Sequence, residues 1–266
     1  MVGVMFASMI VTAPVTSIER VAAVDSRRRS ERFDTTCADP VMAALALPRS
    51  GSGWAEIGRS AQERPLRVRV EGHGLRTVLW VGGIHGDEPE GQVVTANLAA
   101  AFLDEGLANS VTLIIFEDDN PDGRAAHSRT NAHGVDLNRN FPAANFSPGN
   151  GHGPRPLSEP ESTALALLVC GARPNLTMVA HSGHRGSLEN VVNYDGPSKA
   201  AASVFAKLAA MTVVDTVYPT PGSFGSWAGT EGQLAVLTIE YRRGITADAA
   251  WRQTRTAILA ALKLPN

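Results

Sequence analysis

His85, Glu88, His181 and Glu240 are the residues whose types and positions could do chemistry together. His85 and Glu88 stand three apart in "WVGGIHGDEPEG" (80–91), just past an apolar run. His181 closes the run "LTMVAHS" (176–182), and Glu240 lies near the end of "AVLTIEY" (235–241). Imidazole nitrogen and carboxylate oxygen are the ligands of catalytic zinc, which takes three protein ligands and leaves a position open. On this reading His85, Glu88 and His181 hold the ion, and Glu240 stays free as a general base. A lone His–x–x–Glu pair is a weak signal, and a histidine ending an apolar strand is more often a hydrogen-bonded core residue. The metal reading gains because all four fall where strands end. Asp87 reads as a neighbour shaping the turn. Glu90 reads as a first-turn helix residue, where the helix dipole favours negative charge.

The elements that must position these residues follow from periodicity. "PLRVRVEG" (65–72) alternates like an edge or half-buried strand, whereas "TVLWVGG" (77–83), "VTLIIFE" (111–117), 176–182 and 235–241 are continuous apolar runs, as in strands covered on both faces. Helical spacing runs over 89–106, 158–172, 197–211 and 246–263. Ser158 with Glu161 three residues on predicts a capping box. Alternation of strands and helices predicts an α/β domain with a mostly parallel sheet and helices on both faces. Ligands bind such sheets at the carboxyl ends of the strands. The Pro, Gly and Ser of "LPRSGSG" (47–53) divide a weakly ordered or variable extension, 1–45, from a catalytic domain, 46–266.

Composition narrows the function classes. The chain has 266 residues, 44% apolar and 19% charged, with a net charge of −2. That balance supports a real core and gives no reason to expect a nucleic-acid partner. Arg27, Arg28, Arg29 and Arg32 read as a solvated tail. Two cysteines, Cys37 and Cys170, exclude a disulfide-built scaffold and a Cys-based zinc site, and each reads as a separate thiol. No stretch reaches the roughly 18 apolar residues of a membrane span. The mildly apolar start lacks the charged segment of a signal peptide, so a cytoplasmic location is expected.

The stretches "GGIHGDEPEG", "NPDG", "HGVDLNRNF", "AHSGH" and "TIEY" together resemble the zinc carboxypeptidases of the carboxypeptidase A type. They come in the family's order and the resemblance covers roughly 55–262, as judged by element order. It implies a mixed, mostly parallel sheet of about eight strands flanked by helices, and one zinc per chain. It makes His85, Glu88 and His181 the ligands and Glu240 the base. Arg129 matches the arginine that polarises the scissile carbonyl, although its distance from "NPDG" is shorter than in digestive members. Asn138 and Arg139 match the pair that binds the free carboxylate of the substrate. Asp136 matches the aspartate that hydrogen-bonds the first zinc histidine.

Within that family, "YPTPGSFGSWAG" (218–229) resembles the specificity loop of bacterial murein tripeptide amidases, which cut between γ-D-glutamate and meso-diaminopimelate. Ser223, Phe224, Ser226 and Trp227 are then expected to wall the substrate pocket. A structural role for Phe224 and Trp227, anchoring the loop to the core, competes closely. The closing tyrosine of digestive members has no clear match, since Tyr218 precedes the turn. His184 is a minor alternative ligand; His127, His133 and His152 sit in loop sequence and read as solvated. The expected partner is a small muropeptide, with no nucleic acid or membrane. The alternatives are an N-acyl amino acid deacylase of the aspartoacylase and succinylglutamate desuccinylase type, with the same mechanism, and, lower, a non-catalytic peptide-binding module.

Overall fold

The computed structural model describes residues 31–38, 47–48, 50–149, 151–183, 188–215 and 220–264. His184 and Tyr218 lie outside the described residues, as does most of the expected extension. A helix, α1 (31–38), precedes strands β1 (Trp54–Arg59), β2 (Pro65–Glu71) and β3 (Arg76–Val81). Then come α2 (Glu90–Asp104), β4 (Val111–Phe116), α3 (Pro121–Ala126), α4 (Pro160–Ala172), β5 (Leu176–Gly183) and β6 (Val191–Asp195). The chain closes with α5 (Lys199–Ala209), β7 (Thr212–Val214), a wide helical segment (Gly225–Glu231), β8 (Val236–Arg242) and α6 (Ala247–Lys263).

The eight strands form one mixed sheet in the order β1-β2-β4-β3-β5-β8-β6-β7. Its centre, β4-β3-β5-β8, is parallel throughout, while β1–β2, β2–β4 and β6–β8 pair antiparallel. The central strands are the continuous apolar runs, and all eight residues of β5 are buried. Helices cover both faces, as expected. Trp80, Met178 and Ile239 pack with α2, α5 and α6 on one side. Leu79, Val179 and Ile114 pack with α4, Phe33 of α1 and Trp227 on the other.

The structure decides one choice and corrects three details. Of the two readings of 65–72, edge or half-buried strand, the half-buried one holds: exposed and buried residues alternate along it, and β1 pairs with it from Trp54↔Arg69 to Arg59↔Pro65. β1 was invisible because its residues are mostly exposed or half-buried and show no apolar run. The predicted capping box does not form: Glu159 is the N-cap of α4, Ser158 Oγ donates to Glu159 Oε1, and Glu161 accepts from the Ala61 N–H. Cys37 and Cys170 are not separate thiols; they form a disulfide joining α1 to the end of α4. And 31–38, placed in the extension, is packed helix, with Phe33 only 1% exposed. Contacts across 133 residues leave no local trace in sequence.

Candidate metal centre

The donors assemble at the carboxyl end of the parallel strands. Past β3 the chain makes a tight turn in which the Glu88 N–H reaches back to the His85 carbonyl at 3.3 Å. Gly82 matters here for close approach: a Cβ there would overlap the Glu117 carbonyl oxygen and crowd Thr95 Oγ1. The turn is pinned from outside by Arg124, which donates to the Gly86 carbonyl at 3.0 Å. His181 is supplied by β5 and stands in register with Glu240 on β8. Paired residues on neighbouring strands face the same side, so both side chains meet the same cleft.

Three donor groups converge. His85 Nδ1 lies 2.9 Å from Glu88 Oε1, His181 Nδ1 lies 2.9 Å from Glu88 Oε2, and the two Nδ1 atoms are 3.0 Å apart. All three residues are buried, with ligand atoms within 4.8 Å of one another. Zinc–nitrogen distances near 2.0–2.1 Å at a tetrahedral angle put neighbouring donors about 3.3 Å apart, so this donor set fits a zinc ion after a small outward relaxation. His85 Nε2 lies 3.1 Å from Asp136 Oδ1. A proton on Nε2 satisfies that carboxylate and leaves the Nδ1 lone pair toward the centre. The Ser182 N–H donates to Glu88 Oε2 at 3.0 Å and orients the carboxylate.

The charges around the donors are matched. Burial opposes ionisation of Glu88, yet His85 and His181 hold its carboxyl far below the usual range. Burial likewise opposes Asp136, but His85, Arg129 and Arg139 hold it well below. For His85 burial favours the neutral form, while Glu88 and Asp136 lift the imidazole above its ordinary value. Glu240 differs: burial dominates and Glu88 adds to it, so its carboxyl is raised despite the two histidines.

The arginines come from one loop. "NPDG" is its foundation: Asn120 caps α3 by accepting from the Gly123 N–H at 2.8 Å, and its amide donates to the Arg129 carbonyl at 3.2 Å. Arg129 spans Asp136 Oδ2 at 2.9 Å and Glu88 Oε1 at 3.2 Å, beside the donors. Asp136 accepts from the Asn138 N–H and so starts the short 3₁₀ turn Leu137–Arg139. Asn138 Oδ1 accepts from the Phe224 N–H at 2.9 Å, which leaves its NH2 end as a donor. His85, Glu88, His181, Arg129, Asn138, Arg139 and Glu240 line one cleft of about 180 Å³.

A sequence profile of the Peptidase_M14 zinc carboxypeptidase family matches residues 52–255. The chain belongs to the zinc carboxypeptidase family. It is therefore a hydrolase, and its cofactor is zinc. Murein peptide amidase A of Escherichia coli K12 is 33% identical over 208 residues, covering 71% of this chain and 81% of the relative. Murein peptide amidase A of Vibrio campbellii is 29% identical, covering 83% and 90%. Among solved structures, murein-tripeptide amidase MpaA from E. coli O157 superposes with a TM-score of 0.67 at 27% identity, covering 85% of this chain and 97% of that one. Bovine thrombin-activatable fibrinolysis inhibitor shares the fold, with a TM-score of 0.63 at 17% identity, covering 93% and 95%.

The expected pocket wall divides. Ser223 and Phe224 line the cleft, together with Thr220 and Gly225. Trp227 and Ser226 are not among the described residues that line it: Trp227 is fully buried against Phe33 and Phe141, and the Ser226 hydroxyl donates to the Thr220 carbonyl. Trp227 thus takes the anchoring role. His133 is largely exposed but hydrogen-bonded to Glu159, and His152 to the Ser147 carbonyl. Asp87 does hold the turn, through an ion pair with Arg243 at 3.0 Å. Glu90 opens α2 and accepts from the Gly244 N–H.

Sequence reasoning missed Arg243, Asn193, Asp195 and Thr238. Asn193 and Asp195 lie on β6, a strand too short and polar to stand out. The signal for Thr238 was period two: it precedes Glu240 by two residues and so shares its face.

Proposed function

We propose that this enzyme hydrolyses the amide bond between γ-D-glutamate and meso-diaminopimelate in small murein peptides, next to the free carboxylate of the leaving residue. The observation that carries the reading is one cleft lined both by Glu240 with the donor triad and by Asn138 with Arg139. The murein peptide amidases among its relatives support the choice of substrate.

Zinc, when bound by His85, Glu88 and His181, supplies a Lewis acid that polarises the scissile carbonyl and acidifies water. Glu240 accepts a proton from the attacking water and delivers it to the leaving nitrogen. Its burial raises its proton affinity, which suits a group that must both take and return a proton. Arg129, next to Glu88, presents positive charge where the oxyanion develops. The Arg139 guanidinium and the Asn138 amide receive the substrate carboxylate. Asp136 holds His85 and Arg129 in place together. Asp195 and Asn193, in the same cleft, offer acceptors for a second amino group, as diaminopimelate carries. Ser223 and Phe224 form the wall.

Turnover of L-Ala-γ-D-Glu-meso-diaminopimelate, measured against N-acetylaspartate and N-succinylglutamate, tests the reading. Hydrolysis of the murein peptide is expected; hydrolysis of only the latter two would replace it with the deacylase reading. Binding without turnover would favour a non-catalytic module.

For location two lines of reasoning diverge. A murein-peptide recycling enzyme of the cytoplasm follows from the sequence reading, and no described helix is long and apolar enough to cross a membrane. The Cys37–Cys170 bridge belongs where thiols are oxidised. We favour the oxidising compartment, because the bridge is a property of this chain's own fold. Thiol trapping in intact cells, followed by fractionation, decides: free thiols in the cytoplasmic fraction would restore the first location.

A further inference from the structure

Helix α1 lies outside the stretch matched by the family profile, yet it packs behind the substrate wall. The Phe33 ring sits 5.1 Å from the Trp227 ring. Trp227 stacks on Phe141 at 5.7 Å with 11° between planes, and Phe224 meets Phe141 edge-on at 5.3 Å. Phe224 ends this line of aromatic rings in the cleft, where its N–H holds the Asn138 amide. Residue 232 is glycine where Phe33 passes: a Cβ there would lie 2.6 Å from the Phe33 ring. The helix is fastened beyond Phe33. Cys37 is bonded to Cys170, Asp34 pairs with Arg173 at 3.0 Å, and the Arg173 guanidinium lies 5.2 Å from the Phe33 ring centroid.

We propose that Phe33, clamped by the Cys37–Cys170 disulfide, is a positioning residue for the carboxylate-binding end of the cleft, and that opening the disulfide weakens substrate binding while leaving the metal donors in place. The proposal rests on the reading of Asn138 and Arg139 as the carboxylate site. Force passes from Phe33 through Trp227 and Phe141 to Phe224 and the Asn138 amide. The donors His85, Glu88 and His181 sit at the ends of β3 and β5, and the ring contacts of this aromatic line do not include them. Opening is a two-electron reduction. A dithiol attacks one sulfur through its thiolate, a mixed disulfide forms and resolves, Cys37 and Cys170 leave as thiols with two protons, and the dithiol becomes a cyclic disulfide.

The test compares the zinc-loaded full chain, oxidised and dithiol-reduced, with Phe33→Ala, Phe33→Leu and Cys37→Ser/Cys170→Ser. Readouts are kinetics on the murein tripeptide, zinc content, and amide exchange across Gly225–Glu231. Phe33→Ala, the serine pair and reduction should each raise KM about tenfold with kcat within about twofold. Zinc content should not change. Phe33→Leu should recover part of the KM, and exchange at 225–231 should quicken while that of β5 holds. Unchanged KM and exchange in both Phe33→Leu and the reduced protein would overturn the proposal, as would loss of kcat and zinc in equal measure. The wild type should also prefer the free-acid substrate to its carboxamide. Indifference there overturns the carboxylate reading and this assignment together. A wild type that prefers the acid, with Phe33→Ala keeping its KM, overturns this assignment alone.

Discussion

Replacing Asp136 with asparagine removes a charge but keeps the shape, and the structure says where the damage falls. Asp136 Oδ1 faces both His85 Nε2, at 3.1 Å, and the Asn138 N–H, at 2.9 Å. Asparagine can keep that oxygen in place, so both contacts survive as neutral hydrogen bonds. Asp136 Oδ2 accepts from Arg129 Nε at 2.9 Å. In the variant an NH2 group meets that N–H, donor against donor, and Arg129 is pushed away. The Arg129 side chain is 45% exposed, so the lost ion pair itself costs only about 0–1 kcal/mol. The larger effect is on His85, whose lone pair loses the carboxylate behind it. Removing such a support lowers metal affinity about 10- to 100-fold, or about 1.4–2.7 kcal/mol. Because the oxygen remains, Asp136→Asn belongs near the tenfold end and Asp136→Ala near the hundredfold end. Zinc Kd by competition with a chromophoric chelator, with circular dichroism to check folding, measures both. A Kd for Asp136→Ala within about twofold of wild type would show that His85 does not depend on Asp136.

Glu240→Gln should keep zinc and lose turnover by about 10²- to 10⁴-fold in kcat, read by steady-state assay and elemental analysis. In the wild type Glu240 must be ionised to accept a proton, so kcat should fall on acidification as one proton is taken up; a kcat that holds at its plateau as this carboxylate is protonated counts against this base. Asp119 is fully buried, with neither carboxylate oxygen hydrogen-bonded, and burial followed by the charges of Glu161 and Asp118 raises its pKa well above normal. The folded state then binds its proton more tightly than the unfolded state, so stability falls as pH rises through that window. Asp119→Asn should therefore stabilise the protein at neutral pH by about 1–3 kcal/mol, with the gain in melting temperature shrinking toward pH 4; equal gains at both pH values would contradict this. Cys37→Ser/Cys170→Ser opens a loop of 133 residues, which costs up to about 5 kcal/mol in chain entropy and roughly 10 °C in melting temperature by calorimetry.

Legibility followed the range of the interaction that makes each feature. The central strands and α2, α5 and α6 were visible because burial on both faces, or along one stripe, writes a period into the residues themselves. β1, β6 and β7 were not, being short, partly exposed and defined by their partners. The site showed the same division. His85 and Glu88 share one turn and were easy to pair, and the strand-end rule brought in His181 and Glu240, which the register places side by side. Arg243 escaped because its pairing with Asp87 spans 156 residues. Trp227 carried two competing readings, wall or anchor, because a Gly/Ser-rich turn does not say which way its aromatic residues face.

By itself the sequence determined the alternation of strand and helix, the parallel centre of the sheet, and the donor types standing at its strand ends, since hydrophobic period and residue chemistry are local. Only the tertiary structure decided that the two imidazoles and the Glu88 carboxylate meet within 3.0 Å, which burial leaves to one face, and that Cys37 reaches Cys170. Those outcomes depend on strand register and on contacts between distant segments, and such contacts are settled by packing after the local elements exist.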